Sequence, residues 1–291
     1  MQSICADSSV EVLVKKFKIH SAVFAACFTL TSVAAHAQTA TAPKPGASTQ
    51  KPFEPQSGQA GKDVVWVPTP QALVDKMLDM AKAKPGDFLM DLGSGDGRTV
   101  ISAAKRGLTA QGIEYNPDMV ELSKKNAQAA GVSGKAAFEK ADLFETDFSK
   151  ADVITLFLLP ALNLKLRPKI LDLKPGTRIV SNTFNMDDWQ PDETAQVTEG
   201  CSSYCTAFLW IVPAKVGGTW TTPRGELTLT QQFQMLTGTL ASTAISEGKV
   251  NGDEVTFTVG DAKYTGKLSG NTIQGTITGG AGGSWTATKK M

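Results

Sequence analysis

A glycine-rich run with an acidic residue at a fixed distance is the part of this chain whose spacing points to chemistry. Residues 90–98 read Met-Asp-Leu-Gly-Ser-Gly-Asp-Gly-Arg, between an apolar run that suits a buried strand and a segment with a helical pattern. The three glycines, Gly93, Gly95 and Gly97, allow a turn that presents backbone N–H groups at a helix N-terminus to a ligand. Glu114 follows Gly95 by 19 positions, at the predicted end of a second strand, where it can accept both hydrogen bonds of a ribose diol. The combination predicts a nucleotide site.

The spacing distinguishes two classes of nucleotide. A dinucleotide fingerprint, G-x-G-x-x-G, requires a glycine where Arg98 stands, and Asp91 precedes the first glycine by two positions. Since a carboxylate beside the turn would repel a pyrophosphate, the pattern suits a cationic ligand. D-x-G-x-G-x-G resembles the first motif of class I S-adenosylmethionine-dependent methyltransferases, whose cofactor has a sulfonium and an ammonium and no phosphate. The alternative is a glycine-rich turn with a structural role only.

Composition narrows the possible functions. The chain has 291 residues, of which 41% are hydrophobic, so it has room for one large or two ordinary domains with a real core. Its 29 basic and 28 acidic side chains give no indication of nucleic acid or of an acidic membrane surface. Both histidines, His20 and His36, lie in a segment that we expect to be removed. A mature chain without histidine has no histidine triad, histidine zinc site or imidazole general base, and we predict no metal site.

The N-terminal residues have the pattern of a secretory signal. Three lysines at 15–18 precede an apolar stretch at 21–35 that is too short to span a bilayer, and Ala35-His36-Ala37 is a small-x-small cleavage site. We therefore expect a signal peptide at 1–37 and an exported, periplasmic protein with no stable membrane insertion after cleavage. A cytoplasmic location follows if this signal is misread.

Two further features follow in the mature chain. Residues 38–62 are mostly Thr, Ala, Pro, Lys, Gly, Ser and Gln, a composition that predicts a disordered linker. Cys201 and Cys205 are the cysteines that remain after cleavage. In an oxidising compartment they would close a small loop if the chain turns there, and otherwise they are two buried thiols.

Alternating strand and helix patterns predict a doubly wound, mostly parallel α/β sheet of the class I methyltransferase, Rossmann-like type over residues 63–213. Helices are expected at 71–82, 98–106, 117–130 and 163–172, and strands at 87–92, 109–114, 135–141, 152–159 and 177–183. Asp91, Gly93, Glu114 and Asp142 all fall at carboxyl ends of these strands, where such sheets bind ligands.

Residues 214–291 have a different pattern. They are rich in Thr and Gly, alternate apolar and polar positions, and break at Asn251-Gly252, Gly260-Asp261 and Gly270-Asn271. The runs that begin at Lys249 and Lys267 repeat one pattern 18 residues apart. We predict a small all-β domain, an antiparallel meander or small barrel, that either binds substrate or packs against the enzyme.

Several motifs together resemble one family. They are Trp66-Val-Pro-Thr-Pro, Asp91 to Arg98, Gly112-Ile-Glu-Tyr-Asn-Pro, Asp142-Leu-Phe, Leu158-Leu-Pro-Ala-Leu-Asn-Leu-Lys-Leu-Arg-Pro-Lys and Leu173-Lys-Pro-Gly-Thr-Arg-Ile-Val-Ser. Over roughly residues 63–190 the chain is similar to the protein-lysine methyltransferases that include the mitochondrial enzyme acting on the c-ring protein of ATP synthase. In that family Tyr is commoner at the positions of Trp66 and Phe157. The resemblance implies S-adenosyl-L-methionine as cofactor and a protein lysine as substrate.

The resemblance also implies roles for individual residues. Cofactor contacts are expected from Thr69, Asp91, Gly93, Ser94, Gly95, Asp96, Gly97, Glu114, Tyr115, Asp142 and Leu143. Pro160 and Asn163 would face the acceptor. Apart from the resemblance, deprotonation of the acceptor would fall to water or to a carboxylate; Asp187 and Asp188 are candidates by their place in the sequence alone, or else form a solvated acidic turn.

Three functions compete at this point. The first is protein-lysine methylation, and the second is methylation of a small molecule or lipid on the same scaffold. The third is a non-catalytic exported module that retains the fold, because the cofactor is made in the cytosol.

Overall fold

The computed structural model of the protein describes residues 53–290. The predicted signal peptide at 1–37 and the linker up to residue 52 lie outside them. The first part of the described chain is an α/β unit. Its helices are α1 (Gln71–Met80), α2 (Arg98–Lys105), α3 (Pro117–Ala129) and α4 (Pro160–Leu171). Its strands are β1 (Phe88–Leu92), β2 (Thr109–Glu114), β3 (Ala136–Lys140), β4 (Val153–Leu156), β5 (Arg178–Asn182), β6 (Glu193–Gln196) and β7 (Thr206–Ile211).

These seven strands form one mixed sheet. Their order is β3-β2-β1-β4-β5-β7-β6, and β1 to β5 run parallel, as the alternating pattern predicts. β7 pairs antiparallel with β5 on one side and with the edge strand β6 on the other, and neither β6 nor β7 is among the strands expected from the sequence. Because β7 reverses direction, its start lies at the carboxyl end of β5, where Asn182 pairs with Ala207.

Two helices begin where the sequence supplies a suitable first turn. The side chain of Asn116 caps α3 by accepting the N–H of Asp118 at 2.9 Å, and Pro117 follows it. Pro160 begins α4 three residues before the predicted start, because the fixed φ of proline suits the first helical position. The preceding strand accordingly ends at Leu156 rather than at 159.

Both faces of the parallel sheet are covered. Leu89 belongs to the core that contains the buried residues of α1 and α2, whereas its neighbour Met90 belongs to the core that contains Leu166 and Ile170 of α4. Successive side chains of a strand point to opposite faces, so a strand covered on both sides needs apolar residues at consecutive positions. That requirement explains why apolar residues stand at consecutive positions in β1 (Phe88-Leu-Met) and in β4 (Val153-Ile). No helix within residues 53–290 is both long and apolar enough to cross a membrane.

The C-terminal residues form the predicted antiparallel sheet, and it closes on itself. Its strands are β8 (Gly218–Thr222), β9 (Gly225–Gln232), β10 (Met235–Leu240), β11 (Thr243–Ala244), β12 (Ser246–Asn251), β13 (Glu254–Val259), β14 (Ala262–Ser269), β15 (Thr272–Thr278) and β16 (Gly283–Lys289). Closure comes from β9, which pairs with both β8 and β10, while β16 pairs with β8. The repeated pattern corresponds to two successive hairpins, β12–β13 and β14–β15. Gly252 and Gly270 have positive φ in their turns.

The closed sheet packs against the α/β unit. Phe233 stacks on Trp189 with ring centroids 5.8 Å apart, and the Gln234 side chain donates to the Gln190 carbonyl at 2.7 Å. Lys249 pairs with the buried carboxylate of Asp192 at 2.9 Å. These contacts fit the packing role that was one of the two expectations for this region.

The segment before α1 is part of the fold. Gly58 N–H donates to the Trp66 carbonyl at 2.8 Å, Trp66 N–H donates to the Gln59 carbonyl at 2.9 Å, and Ala60 bridges to Val65. The linker predicted at 38–62 therefore extends too far, because its last residues form this hairpin. Polar composition suggested disorder, but backbone hydrogen bonds order the segment.

Candidate active site

The glycine turn after β1 has the conformation that the sequence predicts. Gly93, Gly95 and Gly97 all have positive φ, of 87°, 54° and 83°. A Cβ on Gly97 would lie 2.7 Å from the Phe138 ring. The turn is also held from outside, since the Ser123 hydroxyl donates to the Gly95 carbonyl at 2.8 Å. A tightly held turn results at the carboxyl end of β1.

Glu114 lies at the end of β2, against this turn. One carboxylate oxygen accepts the Gly95 N–H at 2.9 Å, and the other accepts the Asn116 N–H at 2.8 Å. Each carboxylate oxygen has a second lone pair, so both can still accept a hydroxyl donor. The backbone bonds thus orient the carboxylate that we expect to hold the ribose diol.

Asp91 is a buried carboxyl whose charge depends on its surroundings. It is 7% exposed and accepts the Thr155 hydroxyl at 2.7 Å. Burial is the main cause that raises the pKa of Asp91 to about 7; the charges of Glu114 and Asp96 act in the same direction, whereas the hydroxyls of Thr155 and Thr99 oppose the shift. Such a group gains most from a cationic ligand, which favours its ionised form.

Asp96 forms an ion pair with Arg98, which connects the glycine turn to the segment before α1. The Arg98 guanidinium binds both oxygens of Asp96, with a 2.6 Å contact, and donates to the Thr69 carbonyl at 2.8 Å. The Thr69 hydroxyl in turn accepts from the buried Asn182 amide at 3.2 Å. The pair therefore joins the glycine turn to the segment before α1, and Thr69 lies at the cleft wall.

Asp142 follows β3 and carries two hydrogen bonds. It accepts the Phe144 N–H at 2.9 Å and the Lys62 ammonium at 2.5 Å. The Lys62 hydrogen bond lowers the pKa of Asp142 below its ordinary value, and the same bond raises the pKa of Lys62. The ammonium also lies 5.0 Å from the centroid of the Tyr115 ring. Lys62, from the hairpin, is a residue of the predicted adenine end that the sequence pattern did not reveal.

One cleft collects most of the predicted cofactor residues. The volume of this cleft, including the solvent at its open mouth, is about 1370 Å³. The predicted residues that line it are Thr69, Asp91, Gly93, Ser94, Gly95, Asp96, Glu114, Tyr115, Asp142 and Leu143. Gly97 shapes the turn without lining the cleft. The Ser94 hydroxyl is buried and has no hydrogen-bond partner within the described chain.

The chemistry of this lining fits S-adenosylmethionine. Acidic residues outnumber basic ones around the cleft, and the two cationic residues that line it, Lys62 and Arg98, are each paired with a lining carboxylate. Such a surface suits a ligand with a sulfonium and an ammonium and does not suit a pyrophosphate. Within residues 53–290 no three His, Cys, Asp or Glu side chains are grouped to hold a metal ion.

The predicted acceptor residues lie elsewhere than expected. Pro160 is exposed at the start of α4, and Asn163 is fully buried; neither lines the cleft. The Asn163 amide donates to the carbonyls of Phe184 and Asn185, at 3.2 Å each. Its position at the first turn of a helix that begins three residues early turns its side chain toward this loop, so Asn163 positions the loop after β5.

An aromatic group stands at the cleft instead. Phe157, which follows β4, Phe184, which follows β5, and Tyr204, which precedes β7, all line the cleft and contact one another. Tyr204 and Phe184 were not identified from the sequence. For Tyr204 the sequence did contain a signal, because the residue lies between the two cysteines of the C-x3-C pair.

Two further expectations can be placed. Asp188 pairs with Arg167, and neither Asp187 nor Asp188 lines the cleft, which agrees with a solvated acidic turn. Cys201 and Cys205 form a disulfide, with Cα atoms 5.8 Å apart. The chain turns between them, as that alternative required.

The sheet order, the glycine turn and the acidic residues at strand ends define a class I S-adenosylmethionine-dependent methyltransferase. Residues 91–193 match the model of the ANTKMT methyltransferase domain family. A protein-lysine N-methyltransferase of Saccharolobus islandicus is 41% identical over 152 residues, which are 51% of this chain and 94% of that protein. The chain therefore belongs to the protein-lysine N-methyltransferase family.

Two other known proteins are also similar to part of this chain. The adenine nucleotide translocase lysine N-methyltransferase of Mus musculus is 36% identical over 129 residues, 44% of this chain and 55% of that enzyme. The chain thus matches about half the length of the mouse enzyme. A solved structure of an RNA methyltransferase from Salinibacter ruber, in complex with S-adenosyl-L-homocysteine, is 45% identical. The match covers 52% of this chain and 96% of the chain in that structure, with a TM-score of 0.49.

Proposed function

We propose that this chain methylates the ε-amino group of a lysine in a protein substrate. The rim of the cleft is the observation that carries the choice of a protein. Six large apolar side chains are exposed among residues 53–290, and four of them, Val65, Tyr115, Leu159 and Tyr204, line the cleft. Exposed apolar side chains concentrated around one opening are typical of a surface that docks a macromolecule.

The residues of the chain bind and orient the reactants. Glu114 and the glycine turn would hold the ribose, Asp142 the adenine, and Asp91 the cationic methionine end. When bound, S-adenosylmethionine supplies a methyl group that moves from sulfur to the acceptor nitrogen, while the bonding electron pair stays with sulfur. Holding the acceptor on the line of that bond provides most of the acceleration.

The acceptor must be a neutral amine at the moment when the methyl group is transferred. Phe157, Leu158, Leu159 and Phe184 give the cleft an apolar part without a base, and we infer that the ammonium proton passes to water there. We therefore expect the rate to rise with pH until the amine is largely deprotonated.

Labelled cofactor incubated with the mature chain and with soluble and membrane extracts tests this function. Label recovered as methyl-lysine after acid hydrolysis of protein supports it. Label found only in lipid, in RNA or in small molecules would replace the lysine substrate by another acceptor. An absence of both turnover and cofactor binding would favour a non-catalytic module.

We propose in addition that the protein is exported and that its mature chain begins near Gln38. The lysine-rich start, the apolar run and the Ala-x-Ala site support this, and the Cys201–Cys205 disulfide suits an oxidising compartment. Intact-mass measurement of cell fractions tests it. A full-length chain with two free thiols in the cytosol would contradict export.

A further inference from the structure

We propose that Tyr204, held in place by the Cys201–Cys205 disulfide, forms with Phe157 and Phe184 an aromatic surface that binds the cationic side chain of the acceptor. This proposal rests on the proposed function, since it assigns the residues that recognise the lysine. It also assigns the disulfide a positioning role at the cleft.

The three rings come from separate segments and meet at one place. The ring centroid of Phe157 lies 5.3 Å from that of Tyr204 and 6.1 Å from that of Phe184, and those of Phe184 and Tyr204 are 6.3 Å apart. All three residues line the same cleft as Asp91 and the glycine turn. Tyr204 is 42% exposed, so its ring is available to a ligand that enters from solvent.

The chemistry of aromatic rings suits this ligand. Their faces attract a cation within about 6 Å of the centroid. The acceptor is a cation as an ammonium, and its nitrogen becomes positive again as the new N–C bond forms. A ring surface stabilises both forms, and it avoids the cost of burying an unpaired carboxylate beside the neutral amine.

The backbone that carries Phe157 and Phe184 is fixed by neighbouring elements. Phe157 directly follows the buried strand β4. The Phe184 carbonyl accepts the Ser181 hydroxyl at 2.7 Å and the Asn163 amide at 3.2 Å. Asn163, predicted from the sequence to face the acceptor, thus acts on the acceptor end through Phe184.

Tyr204 depends on the disulfide. It lies between the bonded cysteines and immediately before Cys205, in a backbone conformation with φ of 56°. The Cys205 carbonyl accepts the Val197 N–H at 2.9 Å, which holds one end of the loop to the sheet. Without the cross-link, the loop would be free to leave the positive-φ conformation that non-glycine residues disfavour. The ring would then leave the cleft.

Binding of a product-like peptide tests the proposal independently of turnover. The probe is a hexapeptide of Gly and Ser with one Nε-trimethyllysine, measured by calorimetry on the mature chain saturated with S-adenosylhomocysteine. The comparison peptide carries the neutral isostere with a tert-butyl group. We expect the wild type to bind the cationic peptide more tightly. Tyr204→Ala should weaken that binding about tenfold, whereas Tyr204→Phe retains it.

The controls separate recognition from misfolding. Met235→Ala removes another exposed apolar side chain, on the closed sheet and away from the cleft, and should change nothing. Cofactor affinity should stay unchanged in Tyr204→Ala. The double variant Cys201→Ser with Cys205→Ser should weaken peptide binding several-fold in the same direction. Equal binding of the two peptides by the wild type, or wild-type affinity in Tyr204→Ala, overturns the proposal.

Kinetics give a second readout. With a lysine peptide, Tyr204→Ala should raise KM much more than it lowers kcat. Failure of the wild type to methylate any lysine would contradict the proposed function. If the wild type methylates lysine but binds the cationic and the neutral peptide equally, only the proposal of the aromatic surface is contradicted.

Discussion

The charge of Asp91 offers a direct test of the cofactor site. Its carboxyl accepts a hydrogen bond from Thr155, and burial raises its pKa from 3.8 to about 7. The substitution Asp91→Asn keeps the shape and removes the charge. At about 1.4 kcal/mol for each pKa unit, a rise of about 3 units in the pKa of Asp91 corresponds to about 4 kcal/mol.

The sign for stability follows from proton binding. Between about pH 4 and pH 7, the folded chain holds a proton on Asp91 that the unfolded chain has released, so the free energy of unfolding falls as pH rises through this window. Above about pH 7 both states are ionised and this dependence ends. We therefore expect Asp91→Asn to be more stable than the wild type at about pH 8, by up to about 4 kcal/mol, and similar to it near pH 4.

The sign for binding is opposite. A cationic cofactor prefers the ionised carboxylate, so the affinity of the wild type should fall as pH drops below about 7, by up to about tenfold per pH unit. The affinity of Asp91→Asn should be lower at about pH 8 and nearly flat across the same window. Calorimetry from about pH 5.5 to 8.5, with denaturant unfolding in the same buffers, measures both effects. Asp172→Asn, a change in an exposed carboxylate on the surface, is the control. A flat profile in the wild type, or the same slope in both chains, would refute the reasoning.

Two more substitutions test the turn and the ribose site. Gly97→Ala should destabilise the fold by roughly 2–4 kcal/mol, because the new Cβ meets the Phe138 ring at 2.7 Å and the backbone has a φ of 83°. Gly86→Ala has a similar φ and open space, so chemical denaturation of both variants isolates the packing cost, and equal losses would mean that Phe138 is not in the way. Glu114→Ala should weaken S-adenosylmethionine binding about 10- to 100-fold in calorimetry, as expected for lost hydrogen bonds to a charged group. Wild-type affinity in that variant would contradict the ribose assignment.

The cofactor end of the site could be predicted because its residues follow local rules. The glycine turn, Asp91 and Glu114 lie close together in the sequence, and parallel strands place their carboxyl ends at one edge. Lys62 escaped prediction because its segment has the composition of a linker. Its place depends on the pair with Asp142, 80 positions away, which no local pattern encodes.

The acceptor end could not be predicted in the same way. Phe157, Phe184 and Tyr204 share no motif, and they meet because β7 runs antiparallel beside β5. The sequence left β7 without an assignment, since its run Thr206–Ile211 follows a loop of polar residues and cysteines rather than a helix. If β7 ran parallel to β5, its first residue would lie at the opposite edge of the sheet, and Tyr204 would be far from Phe157. The expectation that Asn163 faces the acceptor rests on the family resemblance alone.

The disulfide links the cellular location of the protein to the binding of the acceptor. A bond between Cys201 and Cys205 persists in an oxidising compartment and is reduced in the cytosol. Since Tyr204 lies inside the loop that this bond closes, the compartment decides whether the aromatic surface is held together. The cofactor residues do not depend on the bond, because the glycine turn, Asp91 and Glu114 are fixed by β1, β2 and their hydrogen bonds. We therefore expect a reducing agent to weaken acceptor binding and to leave cofactor affinity unchanged.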